Sequence, residues 1–394
     1  MAKNLGLYIH IPFCLSKCAY CDFYSVTEQE NFERYVNALL LHMEDYSKSA
    51  KNRIVDTIFI GGGTPTVLPK ATMMSIIDGI HRNFSVAPDV EFTIEANPST
   101  VALNELKQYR RAGVNRLSIG MQSACNNELR ALSRIHTYEE FVNSYALARK
   151  AGFEDINVDI MYGIPEQTET SLASTVDTVC SLDPEHISFY GLKIEENTPF
   201  FDMADSLVLP DEDTEYKMYV NTIDRLARNG YQQYEISNFS KPGFRCAHNL
   251  KYWNCEEYLG LGSGAHSYYN GRRFSFKRDL MTYIETLENP ENGYDITGEN
   301  YEVGRADRIG EFIMLRLRLR DGIDAEEFKR IFGLDFERMF SKYLKLYTEN
   351  GFMVENDGVY SFTPKGMYVS NYILSTMLDF DSDIIGGVAN GTDR

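Results

Sequence analysis

Several features that would define common protein classes are missing from this chain of 394 residues. No apolar run reaches the roughly 18 residues that a membrane-spanning helix needs. The first residues, MAKNLGLYIHIPF, are too few and too polar for a signal peptide. Cationic residues are in the minority, because 39 lysines and arginines face 57 acidic residues and leave a formal net charge of -18. The sequence therefore predicts a cytoplasmic protein that lacks the basic face of a nucleic-acid-binding protein.

Cysteines are too few and too scattered for a disulfide framework. There are seven, an odd number, and four of them stand alone in the sequence. Because the cytosol is reducing, a tight group of cysteines there more often binds metal or takes part in chemistry. Such a group occurs in the stretch HIPFCLSKCAYCDF, which holds Cys14, Cys18 and Cys21. The isolated Cys125 and Cys180 are expected to pack in the core as small apolar side chains.

Six β-rich segments alternate with helical patterns between residue 5 and about residue 191. The candidate strands are LGLYIHI, IVDTIFIGG, VEFTIEAN, VNRLSIGMQ, DINVDIMYG and HISFYGL. The segments between them repeat apolar residues at helical spacing. This alternation predicts βαβ units with a parallel sheet that helices cover. Six successive units favour an α/β fold of the partial (β/α)6 TIM-like barrel type, although a doubly wound sheet fits the same pattern.

Chemically suggestive residues follow the predicted strands. In both of these architectures the functional site lies at the carboxyl ends of the strands. We therefore expect these residues to meet on one rim. They are Cys14, Cys18 and Cys21 after the first strand, Gly61, Gly62, Gly63 and Thr64 after the second, Glu95 and Asn97 after the third, Gln122 after the fourth, Asp159 in the fifth and Lys193 after the sixth.

The length of the chain predicts more than one folding unit. The expected units are a barrel core over residues 1–230, an aromatic-rich extension over 231–300, a winged-helix-like domain over 301–380 and a flexible tail over 381–394. Three helical patterns, two short strands joined at Asn356-Asp357-Gly358 and a last helix carry the winged-helix prediction. Winged helices often bind DNA, but the acidity of this chain favours a packing or lid role.

The spacing of the three clustered cysteines narrows the choice of metal group. A structural zinc site usually takes four protein ligands, commonly as two separated pairs, so zinc is the second choice. Three thiolates on a four-iron cube would leave one iron without a protein ligand. An open iron is a place where chemistry can occur.

The pattern Cys14-x3-Cys18-x2-Cys21, with Tyr20 just before the third cysteine, resembles the signature of the radical S-adenosylmethionine (SAM) superfamily. The resemblance implies a [4Fe-4S] cluster whose open iron is chelated by SAM, and reductive cleavage of SAM to a 5′-deoxyadenosyl radical. GGGTP at residues 61–65 resembles the glycine-rich motif of that superfamily's second strand, whose backbone meets the amino group of SAM. Glycine permits such a close approach because it has no Cβ.

YIHIPFC and EANP narrow the resemblance to the family of oxygen-independent coproporphyrinogen III oxidase and its haem-chaperone relatives. By that resemblance Tyr8, Gly62 and Glu95 contact the cluster-bound SAM. The positions that match a second SAM site in the oxidase are Gly63, Thr64, Gln122, Arg134 and Asp159. From the residues alone, Asp159 could instead cap a turn, and Arg134 could be an exposed cation at a helix end.

Two features separate the haem chaperones from the oxidase. The oxidase carries a fourth cysteine in a CxxxCxxCxC pattern, and here that position is Phe23. HNLKYW at residues 248–253 resembles the HNxxYW motif of the chaperones, which implies that His248 binds haem. Imidazole is a common axial ligand of haem iron, with Cys246 as a rival ligand. Without the resemblance, His248 and Trp253 would be assigned to a packed aromatic loop.

The resemblance therefore implies a haem chaperone that binds haem, a [4Fe-4S] cluster and SAM and delivers haem to client proteins. The alternative is an enzyme, an oxygen-independent coproporphyrinogen III oxidase that decarboxylates two propionates to give protoporphyrinogen IX. A radical SAM methyltransferase or a haem-degrading relative is a third reading. The expected partners are haem or a porphyrinogen, client proteins and an electron donor, without nucleic acid and with peripheral membrane contact left open.

Overall fold

The computed structural model describes residues 3–293 and 295–378 of the chain. Its strands are β1 (Lys3–Ile11), β2 (Arg53–Gly62), β3 (Val86–Ala96), β4 (Arg116–Gln122), β5 (Asp155–Tyr162), β6 (His186–Gly191), β7 (Gln232–Gln233), β8 (Asn238–Ser240), β9 (Tyr258–Leu261), β10 (His266–Tyr269), β11 (Arg272–Phe276), β12 (Thr297–Glu302), β13 (Ile323–Asp324), β14 (Met353–Asn356) and β15 (Val359–Phe362). Its helices are α1 (Phe32–Ser47), α2 (Lys70–Asn83), α3 (Leu103–Arg111), α4 (Asn126–Ala131), α5 (Tyr138–Ala151), α6 (Glu169–Leu182), α7 (Pro199–Asp202), α8 (Glu212–Arg228), α9 (Ala247–Trp253), α10 (Leu280–Glu288), α11 (Arg305–Arg316), α12 (Ala325–Phe332), α13 (Phe336–Glu349), α14 (Pro364–Tyr368) and α15 (Ser370–Leu378). Within these ranges, no helix combines the length and the apolar composition that a bilayer crossing requires.

The first six strands form a parallel sheet in which sequence order is also spatial order. β1 pairs with β2, and the pairing continues strand by strand to β6. Helices lie between successive strands along the chain, as in βαβ units. A doubly wound sheet would reverse its strand order at a switch point, and these six strands do not. The prediction of a partial (β/α)6 barrel is therefore confirmed.

The barrel strands and helices form where local sequence and burial agree. Leu5, Leu7, Ile9 and Ile11 of β1 are fully buried and belong to the same apolar cluster as Leu39 of α1. Strands that are covered by helices on one face and fill a barrel on the other need such apolar runs. The apolar patterns that predicted the strands are therefore the ones that build the core.

Helix α5 shows how local signals set the ends of an element. The Thr137 hydroxyl accepts the Glu140 N–H, and the Glu140 carboxylate accepts the Thr137 N–H, so that both donors are satisfied in a capping box. The helix ends at Gly152, whose φ of +95° is the left-handed conformation that glycine tolerates best. The loop before this helix carries Arg134, whose guanidinium reaches the cysteine loop at Cys18.

The segment after α8 adds strands to both edges of the barrel sheet. β8 pairs antiparallel with β6, and β7 lies outside β8. At the other edge, β9 pairs parallel with β1, and β10, β11 and β12 follow antiparallel. The result is one sheet of twelve strands. The segment predicted as an aromatic-rich extension thus supplies the two outer parts of this sheet.

Helix α9 closes the end of the barrel opposite the rim. Thr57 of β2 pairs with Gly6 of β1 and Glu91 of β3, so these three residues lie at one level, and α9 contacts all of them. A Cβ on Gly6 would lie 2.9 Å from the Lys251 side chain, so glycine permits the close approach. Gly62, at the rim end of β2, is five residues further along the strand, a distance of roughly 16 Å.

The C-terminal part has the winged-helix arrangement that the sequence predicted. Its three-stranded sheet has the order β13-β15-β14, with antiparallel pairing throughout. Asp357 and Gly358 have φ values of 51° and 80°, as a tight hairpin turn requires. The Arg320 N–H donates to the Tyr234 carbonyl at 2.9 Å, and Glu235 forms an isolated bridge with Leu319. These contacts attach the domain to the barrel extension.

The predicted tail, residues 381–394, lies outside the described residues. The predicted boundaries at residues 230, 300 and 380 stay predictions. The contacts above show only that neighbouring segments share hydrogen bonds across the first two of them.

Replacing Glu91 with alanine tests how α9 is held. The Glu91 carboxylate accepts the N–H groups of Ala247 and His248 at 2.7 and 2.8 Å, and lies 3.5 Å from the Cys246 thiol. Because Glu91→Ala removes the acceptor of two N–H groups at the start of α9, and the exposed Ala247 N–H can bond to water instead, we expect the free energy of unfolding to fall by about 1–2 kcal/mol. Urea denaturation followed by circular dichroism measures it. Glu154→Ala, at an exposed glutamate before β5, is the control, and equal losses in both variants would contradict the prediction.

Candidate functional site

The cysteine loop joins the end of β1 to α1 at the carboxyl rim of the barrel. Two backbone hydrogen bonds close its base: the Cys14 N–H donates to the Val26 carbonyl at 2.9 Å, and the Val26 N–H donates to the Pro12 carbonyl at 2.6 Å. Cys14, Cys18 and Cys21 are all free thiols with partial exposure. The loop therefore carries three partly accessible cysteines that are not paired with one another.

Polar groups from two other loops approach these thiols. The Thr64 hydroxyl lies 3.6 Å from the Cys14 Sγ, and the Arg134 Nη1 donates to the Cys18 Sγ at 3.5 Å. Burial raises the pKa of Cys14 and of Cys21 above the ordinary value for a thiol. Thiolates in this loop therefore need positive charge nearby, which a guanidinium or bound iron supplies.

The three thiols are compatible with a four-iron cluster. Within residues 3–293 and 295–378, no three His, Cys, Asp or Glu side chains converge on one position that could hold an ion. In a four-iron cube each thiolate binds a different iron, so its ligands do not need to converge. One iron would remain without a protein ligand.

The glycine-rich end of β2 packs directly against the ends of β1 and β3. Gly62 has a φ of 113°, and its N–H donates to the Glu95 carboxylate at 3.0 Å. A Cβ on Gly62 would lie 2.5 Å from His10 Cε1, and one on Gly63 would lie 2.6 Å from the Phe13 carbonyl oxygen. Side chains at these positions would push the cysteine loop outward. The motif is therefore more than an ordinary turn.

Tyr8 and His10 form a hydrogen-bonded chain at the end of β1. His10 Nε2 donates to the Tyr24 carbonyl at 3.0 Å, because a carbonyl can only accept. His10 Nδ1 is then an acceptor, and it takes the Tyr8 hydroxyl at 3.0 Å. Burial lowers the pKa of His10 to about 4, so the imidazole is neutral at pH 7. The chain fixes the direction of the Tyr8 hydroxyl below the rim.

Glu95 lies at the rim end of β3, and a second carboxylic acid, Asp159, lies within β5, three residues before its end. Burial and the neighbouring Asp159 raise the pKa of Glu95 to about 8, against an opposing effect of the Gly62 N–H. Burial also raises the pKa of Asp159, whose Oδ1 accepts from Asn157 Nδ2 at 2.7 Å. Both acids would gain from a cation bound at the rim. The alternative in which Asp159 caps a turn is not observed, since its partners lie on β5 and β6.

Gln122 and Arg134 complete the rim on the β4 side. Gln122 is buried, has a φ of 69°, and accepts the Tyr190 hydroxyl at 2.8 Å through Oε1. A non-glycine residue in this conformation is often found at a functional site. Arg134 Nη2 donates to the Gly120 carbonyl at 2.8 Å. Arg134 is therefore a rim residue beside Cys18, and its alternative assignment as an exposed helix-end cation is wrong.

Two other residues predicted for the rim have local roles instead. Asn97 Oδ1 accepts the Ser99 N–H and caps a short turn after β3. Lys193 is highly exposed and pairs with Glu195 on the same loop.

The structure does not bring the HNxxYW motif to the rim. His248 is fully buried at the closed end of the barrel, where Nδ1 lies 2.9 Å from the Thr57 hydroxyl and Nε2 lies 2.8 Å from the Tyr252 hydroxyl. Its ring stacks on Phe59 at 5.4 Å, and burial lowers its pKa to about 3. Cys246 is also fully buried. Haem ligation by His248 would require one of these hydrogen bonds to break.

A buried polar network that sequence reasoning did not find connects the two ends of the barrel. Asn157 Nδ2 donates to Asp159, and Asn157 Oδ1 accepts from His186 Nδ1 at 2.6 Å. His186 Nε2 then accepts the Tyr234 hydroxyl at 2.8 Å, and Tyr234 in turn accepts the Cys246 N–H at 3.2 Å. The alternation in DINVD, which puts Asn157 and Asp159 on one face of β5, was the available signal.

Comparison with known protein families identifies the class of protein to which this chain belongs. The radical SAM superfamily model matches residues 8–179, and the HemN C-terminal domain model matches residues 303–369. The solved structure of Escherichia coli coproporphyrinogen III oxidase (HemN), a radical SAM enzyme, superimposes with a TM-score of 0.84 at 25% identity, over 96% of this chain and 90% of that one. The barrel and its three-cysteine loop are therefore those of a radical SAM protein.

Two curated relatives identify the family within the radical SAM superfamily. The chain is 36% identical over 376 residues to the haem chaperone HemW of Bacillus subtilis, covering 94% of this chain and 98% of the relative. It is 37% identical over 379 residues to HemW of Escherichia coli K12, covering 95% and 98%. The chain belongs to the HemW family.

Gly62→Ala should disrupt the junction between β1, β2 and β3. The new methyl group would overlap the His10 ring, so we expect the free energy of unfolding to fall by about 2 kcal/mol more than in Gly152→Ala. Gly152 is a matched control, because its φ of +95° is also left-handed but no atom lies within 4 Å of the position that a Cβ would take there. Urea denaturation of both variants measures the difference. Equal losses would show that only backbone strain matters at Gly62.

The raised pKa of Glu95 predicts a pH-dependent stability. Between its ordinary value of 4.5 and the folded value of about 8, the folded chain binds more protons at Glu95 than the unfolded chain. The stabilising contribution of Glu95 to the free energy of unfolding is therefore fully present below pH 4.5, and it is lost as the pH rises through 8. Because Glu95 keeps some solvent contact, we expect the stability of the wild type relative to Glu95→Gln to fall by about 2 kcal/mol between pH 5 and pH 8.5. Denaturation at both pH values measures this, and a constant difference would contradict it.

Proposed function

We propose that this protein is a cytoplasmic haem chaperone that carries a [4Fe-4S] cluster with SAM and delivers haem to client proteins. The observation that carries the proposal is the 36–37% identity, over almost the whole length, to proteins named as haem chaperones. Phe23 supports it, because this side chain stands where the related oxidase has its fourth cysteine, and it is 68% exposed in the cysteine loop.

Three cysteines and one rim of the barrel would hold the cluster and the SAM bound to it. The proposed cluster ligands are Cys14, Cys18 and Cys21. When bound, the cluster would supply the electron that cleaves SAM to a 5′-deoxyadenosyl radical. The Tyr8 hydroxyl and the Gly62 backbone are proposed to border this SAM, and Glu95 to accept its ammonium group. Since burial raises the pKa of Glu95, an ammonium partner would also stabilise its ionised form.

A second SAM site is proposed beside the first. Its residues would be Gly63, Thr64, Gln122, Arg134 and Asp159. The contacts of Arg134 with Gly120 and Cys18 favour this assignment, because they hold a cation between the cysteine loop and β4. A guanidinium there could bind the carboxylate of an amino acid moiety. The electron donor and the client proteins would approach from this side of the barrel.

Porphyrinogen oxidation is the second candidate function. The observation that favours it is the extent of the likeness to coproporphyrinogen III oxidase, which covers 96% of this chain with a TM-score of 0.84. The rim geometry would serve either function. Phe23 in place of a cysteine argues against the oxidase.

Anaerobic reconstitution with iron and sulfide, followed by separate additions of haem and of coproporphyrinogen III, separates the two functions. We expect saturable haem binding by absorbance titration, and no protoporphyrinogen IX in the presence of SAM and a reductant. Formation of protoporphyrinogen IX over many turnovers would instead establish the oxidase.

Iron and sulfide analysis of the same preparations tests the cluster. Cys14→Ser, Cys18→Ser and Cys21→Ser should each lose most of the bound iron, since every thiolate binds a different iron of the cube. Cys125→Ser should keep it, because Cys125 lies at the start of α4 and outside the cysteine loop. Equal iron in all four variants would remove the cysteine loop from the site.

A further inference from the structure

Most histidines of this chain cannot reach a ligand without rearrangement. All seven lie in the described residues, and five are buried: His10, His42, His136, His186 and His248. His81 and His266 are exposed. His81 is near the end of α2, at the closed end of the barrel, and its ring contacts the Ala112 carbonyl at 3.3 Å. His266 has no hydrogen bond to its ring within residues 3–293 and 295–378.

His266 lies at the same rim as the cysteine loop. β9 runs parallel to β1, so both strands end at the rim, and His266 begins β10 directly after the turn that follows β9. In that turn, a Cβ on Gly262 would lie 2.7 Å from the His10 carbonyl oxygen. A Cβ on Gly264 would lie 3.0 Å from the ring of Tyr24, which belongs to the cysteine loop. The turn thus joins His266 to the part of the loop next to Phe23.

The residues beside His266 in the sheet have small side chains. Ser275 of β11 pairs with His266 across the sheet. On the next strand, a Cβ on Gly298 would lie 2.7 Å from the Ser275 hydroxyl, so these two positions accept only small residues. An imidazole flanked by serine and glycine can approach a flat, bulky ligand.

The segment around His266 is basic although the chain as a whole is acidic. Residues 272–278, RRFSFKR, include four cations and no acid, in a chain with a net charge of -18. Arg273 pairs with Glu311, and Lys277 donates to the Asp295 carbonyl. Arg278 is exposed and has no ion pair or hydrogen bond in the described part of the chain. Partial burial lowers the pKa of His266, and Arg278 and Arg273 lower it further against an opposing effect of Glu299, so the neutral imidazole is favoured.

We propose that His266 is the axial ligand of the haem iron and that Arg278 binds a carboxylate of the porphyrin. This inference rests on the proposed haem-binding function, and it assigns the ligand to the rim rather than to the HNxxYW motif. Haem offers iron to an imidazole, a flat apolar face to aromatic side chains and two carboxylates to cations. His266 and Arg278 are both exposed, and the ring of Tyr24 borders the turn before His266, whereas His248 presents none of its ring to solvent.

Titration of cluster-free protein with haem, followed by absorbance and by electron paramagnetic resonance, tests the ligand. We expect wild type and His81→Ala to bind with the same affinity and with a histidine-ligated spectrum. His266→Ala should bind at least about tenfold more weakly and lose that spectrum, and added imidazole should restore it. His266 is exposed, so this variant should keep the wild-type circular dichroism and melting temperature.

His248→Gln should keep the histidine-ligated spectrum if it remains folded, which circular dichroism checks. An unchanged spectrum in His266→Ala would overturn the assignment, whether or not His248→Gln loses haem. If the wild type itself binds no haem, the proposed function fails together with the inference. If the wild type binds and only the His266 assignment fails, the proposed function stands.

A second pair of probes tests Arg278 independently of the iron ligand. Arg278→Ala should weaken the binding of haem several-fold. It should not change the binding of haem dimethyl ester, whose carboxylates are blocked. Arg272→Ala is the matched control, because Arg272 is an exposed arginine of the same segment that already donates to Asn300. Equal effects of Arg278→Ala on haem and on its dimethyl ester would overturn the role of Arg278.

Discussion

The barrel interior depends on one carboxylate, Glu91, which accepts the first two N–H groups of α9. These bonds hold a short helix against the inside of β1, β2 and β3. With α9 in place, His248, Tyr252 and Phe59 fill the lower part of the barrel as packed side chains. Burial of so many polar groups is tolerable because each of these rings or hydroxyls has a partner.

The upper part of the barrel depends on the absence of side chains. Gly62 and Gly63 bring the end of β2 against His10 and Phe13, and this contact fixes where the cysteine loop leaves β1. The same glycines leave their neighbours Glu95 and Tyr8 facing the space below the loop. The rim is therefore built by close backbone packing, while its charges come from residues on β3, β5 and the loop after α4.

The sequence was sufficient for features that depend on local pattern. Strands β1 to β6 were predictable because their apolar runs alternate with helical repeats, and a parallel sheet requires both. The joint position of the cysteines, Gly62 and Glu95 followed from the rule that such sheets carry their sites at the carboxyl ends of strands. The position of Asn97 after β3 did not reveal that its side chain caps its own turn.

Features that depend on contacts between distant segments could not be predicted. Nothing local distinguishes a buried histidine in α9 from an exposed one in β10, since the difference arises from Thr57 and Tyr252 around the first and from Ser275 beside the second. The inward direction of Arg134 is likewise set by the Gly120 carbonyl on another element. The network from Asp159 to Cys246 joins four segments, and only the fold brings them together.

Helix α9 fills one end of the barrel with packed side chains, and the cysteine loop lies at the other end. The end that carries the cysteine loop is therefore the one at which a nucleoside cofactor, an incoming electron and a cargo for another protein would meet. Ligands that share one region of the surface must bind in an order, because one of them must be bound or released before the next can reach its site. The order in which the cargo binds and leaves would then follow from the shape of the barrel, without a separate moving segment.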